Sequence, residues 1–197
     1  MAYRIGLTGG LASGKSTVAR RLAEAGFEVV DADRLVAELY QPGQAGALGV
    51  AELFGAEHLD ARGAVDRPRL AHRVFADEVA RRRLEALIHP LVRQRFAARA
   101  AAAERPVVLE ATLLVEAGYA PDFDLVVTVE APRELQLARA MARGLGHADA
   151  EARLAAQGDG HQRRAAAHLV IDNSGDLSSL ERQVEGLIAR VERATHS

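Results

Sequence analysis

Residues 6–17 read GLTGGLASGKST, and within them Gly9, Gly14, Lys15 and Ser16 complete the spacing G-x4-G-K-[ST]. No other stretch of the chain restricts its fold as much. The spacing can hold phosphate only when a buried strand leads in and a helix leads out. Main-chain N–H groups then curl around an anion at a helix N-terminus. Both neighbours are predicted. YRIGLTG is a short apolar run ending in glycines, as a buried strand does. Val18, Leu22 and Ala25 follow at helical spacing, and Gly26 ends that helix. FEVVDAD reads as a second strand, so the chain opens with a βαβ unit and a parallel sheet is expected.

Each position of the loop has a chemical reason. The backbone of Gly9, Gly10, Leu11, Ala12, Ser13 and Gly14 forms the anion cradle, and Ser16 offers a hydroxyl to Mg²⁺. Thr17 completes the set, with Thr8 and Thr17 as packing or backup ligands. Lys15 is the only lysine in the chain; of 25 Lys+Arg residues the other 24 are arginine. A compact ammonium on a flexible stem reaches the β- and γ-phosphates where a planar guanidinium would crowd the cradle. The arginine bias itself fits codon usage or heat adaptation, and so does the scarcity of Asn, Met and Cys. Neither explains why the one lysine stands in this loop.

Beyond residue 33 the alternation of strand and helix breaks. DRLVAELY, AGALGVAELFG and the stretch from Asp77 to Glu104 are helical by pattern, with a new helix expected to start at Pro90 after a bend near Ile88 and His89. Residues 40–104 are therefore expected to form a helical substrate subdomain inserted between strands. RPVVLEATLL, DLVVTVEA and HLVIDN resume the strand pattern, Pro132 opens a helix, and LSSLERQVEGLIARVERA closes the chain as an amphipathic helix. The polar, glycine-dotted residues between Gly144 and Ala166 read as mobile. The expected division is 1–39 and 105–197 for a nucleotide-binding core and 40–104 for the insertion.

Composition removes several functional classes. A net charge of −2 argues against a dedicated nucleic-acid binder, and the absence of cysteine excludes disulfides and thiolate chemistry. There is no signal-peptide pattern and no apolar run of membrane-spanning length, so a soluble cytoplasmic protein is expected. A monomer is the simplest expectation.

A phosphate loop admits a switch GTPase, an ATP-driven machine or a small-molecule kinase. The guanine-reading N-K-x-D pattern is impossible, because the sole asparagine, Asn173, and the sole lysine are far apart in sequence. VVLEA supplies one acid after a strand, Glu110, which is weak support for a motor. VVDADR places Asp31 and Asp33 at the carboxyl end of the second strand, beside the loop in a parallel sheet. A carboxylate there can orient an attacking hydroxyl and accept its proton. Either aspartate could instead cap the helix that follows. Arg139 and Arg143 share one helical face, as phosphate-neutralising arginines would and as a solvated face would. Asn173 reads either as an adenine-side residue or as part of a turn, and His89 as a helix junction or an acceptor contact. Arg81, Arg82 and Arg83 read as a solvated face. A nucleoside monophosphate kinase, another small-molecule kinase and a regulatory nucleotide-binding module all remain open at this point.

Taken together, LTGGLASGKSTV, VVDADRLVAELYQPG, LEALIHPLV, LLVEAG and VIDNSG resemble the dephospho-CoA kinase family, in order and over nearly the whole chain. The resemblance implies a P-loop α/β core with a five-stranded parallel sheet flanked by helices, a helical CoA-binding insertion and a small lid, about 140–166. It also implies Mg²⁺-dependent transfer of the ATP γ-phosphoryl to the 3′-hydroxyl of dephospho-CoA, the last step of coenzyme A synthesis. Asp33 matches the family's catalytic base. Lys15 and Arg139 join it as catalytic candidates, with Asp31, His89 and Glu110 on the acceptor side. The chain departs from the family pattern at Thr112, where a proline is usual, at His168, where an aspartate is usual, and across 144–164.

Overall fold

The computed structural model describes residues 2–196. Five strands, β1 (Arg4–Gly9), β2 (Glu28–Asp31), β3 (Val107–Glu110), β4 (Leu125–Glu130) and β5 (Leu169–Asp172), form one parallel sheet in the order β2-β3-β1-β4-β5. β1 is the centre, running alongside β3 from Arg4↔Val107 and alongside β4 from Ile5↔Leu125. Helix crossovers cover both faces of such a sheet, which is why its strands are continuous apolar runs. Ile5, Leu7, Val107, Val108, Val126, Val127 and Val129 are fully buried.

The chain divides into two compact units, residues 1–30 with 99–197, and residues 31–98. In the first, α1 (Lys15–Glu24) and the closing helix α9 (Leu177–Thr195) lay Val18, Leu22, Leu180, Val184, Leu187 and Val191 on one face of the sheet. Burying each of these side chains contributes about 1.5–3 kcal/mol. Gly6 is glycine because a side chain there would run into Phe123 and Leu114, which pack against β1.

The second unit holds α2 (Ala32–Leu39), α3 (Ala45–Phe54), α4 (Arg67–Ala76) and most of α5 (Glu78–Ala102). Its limits, 31 and 98, differ from the 40 and 104 expected, because α2 groups with the helices and the last turn of α5 with the core. Two features depart from the sequence reading. α5 is one helix through Pro90, not two. The ring removes one main-chain hydrogen bond, but Ile88, Val92 and Phe96, four apart on one face, are all buried and keep both halves on one axis. α4 was not expected at all. Asp66 caps it by accepting from the Arg69 N–H at 3.1 Å, and a proline stands in its first turn.

The remaining α-helices, α6 (Arg133–Ala142), α7 (His147–Ala156) and α8 (His161–Ala166), belong to the first unit and lie between β4 and β5 in the chain. The stretch expected to be a mobile lid holds two short helices, α7 and α8.

Candidate functional site

β1 ends at the loop predicted to hold phosphate, and α1 begins at Lys15. Gly9 and Gly14 have φ of 152° and 109°, and Ala12, at 53°, is the one non-glycine residue with positive φ among those described. An L-residue in that region carries about 1–2 kcal/mol of strain. The surrounding loop therefore imposes the curvature on Ala12, which is itself buried. No side chain caps α1 and no acidic residue stands in its own first turn, so the helix itself supplies nothing to offset its N-terminal dipole. A side chain at Gly9 would collide with the Val129 carbonyl and press on the Lys15 stem.

At the lip of the loop the Ser16 hydroxyl donates to Glu110 Oε1 at 3.1 Å. Glu110, read from the sequence as an acceptor-side residue, is therefore brought to the hydroxyl that was predicted to bind Mg²⁺. Thr8 is buried and donates to the Thr112 carbonyl at 3.0 Å, a packing role.

The loop is held from behind by Asn173. The Asn173 side-chain amide donates to the Ser13 carbonyl at 2.7 Å, while its own carbonyl accepts from Arg139 Nη2 at 3.1 Å. Arg139 Nη1 is buried with no hydrogen-bond partner, as is Ser13 Oγ. Arg143 lies exposed at the end of α6.

A second set of contacts ties α7 and α8 to the same loop. Gln157 Oε1 accepts from the Leu11 N–H at 2.7 Å. Arg163, only 3% exposed, donates to Glu116 Oε1 at 2.9 Å and to the Gln157 carbonyl at 3.2 Å, with its Nε 3.8 Å from Glu130. Arg164 lies 3.6 Å from Glu130, which also accepts from Thr128 at 2.6 Å. A cavity of about 340 Å³ opens between Gln136, Glu130 and these arginines. The sequence reading missed Gln157, Glu116, Glu130 and Arg163. Arginine is too common in this chain for composition to single one out. The only available signal was an acid, Glu130, placed after a strand.

In the helical unit the two aspartates separate. Asp31 is the N-cap of α2, its Oδ1 accepting from the Asp33 N–H at 2.8 Å. Asp33 is exposed in the first turn of α2, and the capping role belongs to its neighbour. Arg81, Arg82 and Arg83 are exposed; Arg81 and Arg82 pair with Glu78 along α5, as a solvated face does.

His89 is half-buried on α5. Burial pushes its pKa below the usual 6.5, and nearby Glu85 only partly opposes this. The native state thus binds this proton less readily than the unfolded chain. The resulting stability is present above the unfolded pKa, about 6.5, and is lost as pH falls through the folded value. Melting temperatures between pH 7.5 and 5 should fall more steeply for the wild type than for His89→Gln. Parallel curves would show that His89 does not titrate against folding.

The comparisons with known proteins agree with this geometry. The dephospho-CoA kinase family model matches residues 3–179. A dephospho-CoA kinase of Streptomyces avermitilis is 44% identical, covering 98% of this chain and 96% of its own length; that of Geobacter sulfurreducens is 45% identical, covering 94% and 97%. A Campylobacter jejuni dephospho-CoA kinase structure superposes with a TM-score of 0.74 at 25% identity, covering 99% of this chain and all of its own. A Thermus thermophilus crystal structure reaches 0.82 at 36% identity, covering 96% and 97%. A shikimate kinase of Acinetobacter baumannii, at 20% identity and a TM-score of 0.59, shares the fold. The match of the family model to nearly the whole chain, the identity to these relatives and the shared fold place this chain in the dephospho-CoA kinase family.

Proposed function

We propose that this chain transfers the γ-phosphoryl group of ATP to the 3′-hydroxyl of dephospho-CoA, giving coenzyme A and ADP, and that the residues named above divide the work as follows. The observation that carries the reading is the uncapped start of α1. That helix has no side-chain cap and no acidic residue of its own in its first turn, so its N-terminal dipole is open to an anion held by the loop. Lys15 bridges the β- and γ-phosphates there. The unpartnered Nη1 of Arg139 supports a second positive contact as charge develops on the transferred group.

Asp33 takes the proton of the 3′-hydroxyl as the new O–P bond forms and the bond to the β–γ bridging oxygen breaks, releasing ADP. Its exposed carboxylate, left out of helix capping, supports this role. Ser16 and Glu110 present two hard oxygens side by side, a pair that suits Mg²⁺, which keeps most of its shell as water and phosphate oxygens. Bound there, Mg²⁺ would neutralise charge on the β- and γ-phosphates. Glu110 is thus assigned to the metal side. Asp31 supports the acceptor side only by setting the start of α2, and His89 remains a candidate contact for the acceptor. The enzyme is proposed to work as a cytoplasmic monomer; among the described residues no helix is long and apolar enough to cross a membrane.

The test is product formation from ATP and Mg²⁺ with dephospho-CoA, with AMP, and with no acceptor. Phosphorylation of dephospho-CoA alone supports the reading; phosphorylation of AMP, or slow hydrolysis indifferent to acceptor, overturns it. A further expectation follows from assigning the helical unit to the acceptor's pantetheine arm. Remote binding energy would then orient the reacting hydroxyl. Dephospho-CoA should exceed adenosine in kcat/KM by about a hundredfold or more, within what such binding energy supplies. Equal specificity constants would remove the helical unit from acceptor binding.

A further inference from the structure

We propose that Asn173 is a positioning residue for the phosphate loop: its side chain fixes the direction of the Ser13–Gly14 peptide, and so aims the Gly14 N–H at the bound phosphates. This inference rests on the nucleotide reading of the loop but goes beyond it, because the sequence leaves Asn173 as either an adenine-side residue or part of a turn.

Asn173 follows directly on β5 and is 8% exposed. Its N–H donates to the Glu130 carbonyl at 2.7 Å, which extends the pairing of β4 and β5 by one residue. Its carbonyl holds Arg139. The main chain is thereby fixed on both sides before the side chain acts. The side chain then donates to the Ser13 carbonyl at 2.7 Å. Since the partner is a carbonyl, the nitrogen and not the oxygen of the amide must face it.

A trans peptide is planar, with its C=O and N–H pointing in opposite directions. Drawing the Ser13 oxygen toward β5 therefore turns the Gly14 N–H away from β5. Gly14 is where such control is needed. At φ 109° it occupies a region that L-residues avoid, and a Cβ there would collide with the Asn173 amide. Only glycine leaves room for the clamp, and glycine is also the residue before which a peptide flips most easily. In the flipped state the Ser13 carbonyl would point at the phosphates, replacing a donor with an acceptor. Asn173 selects the donor state. One of the two amide N–H groups is thus engaged with the loop main chain, and that engagement does not depend on any base.

The test uses tripolyphosphate, which has no base, beside ATP and GTP. Asn173→Ala should weaken tripolyphosphate and ATP alike by about tenfold or more, as loss of a buried bond and its orienting effect implies, with the ATP-to-GTP preference unchanged. The amide resonance of Gly14, which should shift when phosphate is added to the wild type, should lose most of that shift. Tripolyphosphate binding equal to wild type, or a changed ATP-to-GTP preference with tripolyphosphate unaffected, overturns the proposal. If Asn173→Ala melts below the assay temperature, the isosteric and uncharged Asn173→Leu takes its place. Unchanged tripolyphosphate binding in that variant is equally fatal. A wild-type chain that binds neither ATP nor tripolyphosphate overturns the nucleotide reading itself, an outcome visible before any variant is measured.

Discussion

Asp33→Asn should lower kcat by about two decades or more while leaving the fold and ATP affinity nearly intact, since a positioned proton acceptor contributes typically 10² to 10⁴-fold. Asparagine has the same shape but cannot take the proton of the 3′-hydroxyl. The structure sharpens the contrast with the neighbouring aspartate. Asp31, not Asp33, supplies the oxygen that caps α2. Asp31→Ala should therefore lower stability by roughly 0.5–2 kcal/mol, the usual effect of losing an N-cap, with a far smaller change in rate. Asp33→Asn should do the reverse. Thermal melting, ATP titration and steady-state rates on the two variants separate the roles. Phosphoryl transfer depends mostly on positioning and charge neutralisation, so some activity survives the loss of one base. An Asp33→Asn enzyme within a few-fold of wild type would remove Asp33 from the chemistry.

The division between these aspartates marks where sequence reasoning ends. VVDAD shows two acids after a strand, but which one turns back to cap the helix is decided by backbone angles at Asp31. Local patterns were legible. The phosphate loop, the five apolar strands and the amphipathic α9 each carry their signal within a dozen residues, and the sheet assembled as expected. Signals that depend on distant packing were misread. Pro90 is a helix breaker by its chemistry, yet α5 continues through it because buried Ile88, Val92 and Phe96 hold one face together. α4 was passed over although Asp66 and Pro68 are an ordinary start signal, because little of its own surface is buried: Leu70 is its one buried residue among those described. The segment 144–164 reads as mobile from its polarity and glycines, which say nothing of where its side chains pack. In the fold Arg163 and Gln157 turn that polarity inward, onto Glu116 and the Leu11 amide. Asn173 was noticeable as the sole asparagine, but its partner, the Ser13 carbonyl 160 positions away, could not be read from its own neighbourhood.

Lys15→Arg preserves the charge at the loop and should nonetheless lower kcat/KM by about a hundredfold or more, as loss of a well-aimed transition-state donor does. With 24 arginines against one lysine, the chain uses guanidinium wherever a cation is enough. Arg20 illustrates such a place: it is exposed on α1 and lies 3.9 Å from Glu24 one turn on, a pair worth a few tenths of a kcal/mol at most. Lys15 stands five residues earlier on the same helix under different constraints. Its stem runs close to Gly9, where even an added Cβ would come within 3.2 Å of Lys15 Cγ. The space there admits a narrow chain ending in a point charge. A guanidinium is planar and forked, with donors directed for two-point contact, and cannot reach the β- and γ-phosphates from this position without displacing loop backbone. Arg20→Lys is the matched control and should leave rate and melting temperature within experimental error. Lys15→Arg should melt like wild type but bind ATP poorly, and its kcat should fall as well, because the ammonium follows the γ-phosphoryl group through transfer. The readouts are kcat, KM for ATP and the melting temperature of each variant. If Lys15→Arg turned over within a few-fold of wild type, geometry would not be what keeps the single lysine in this loop.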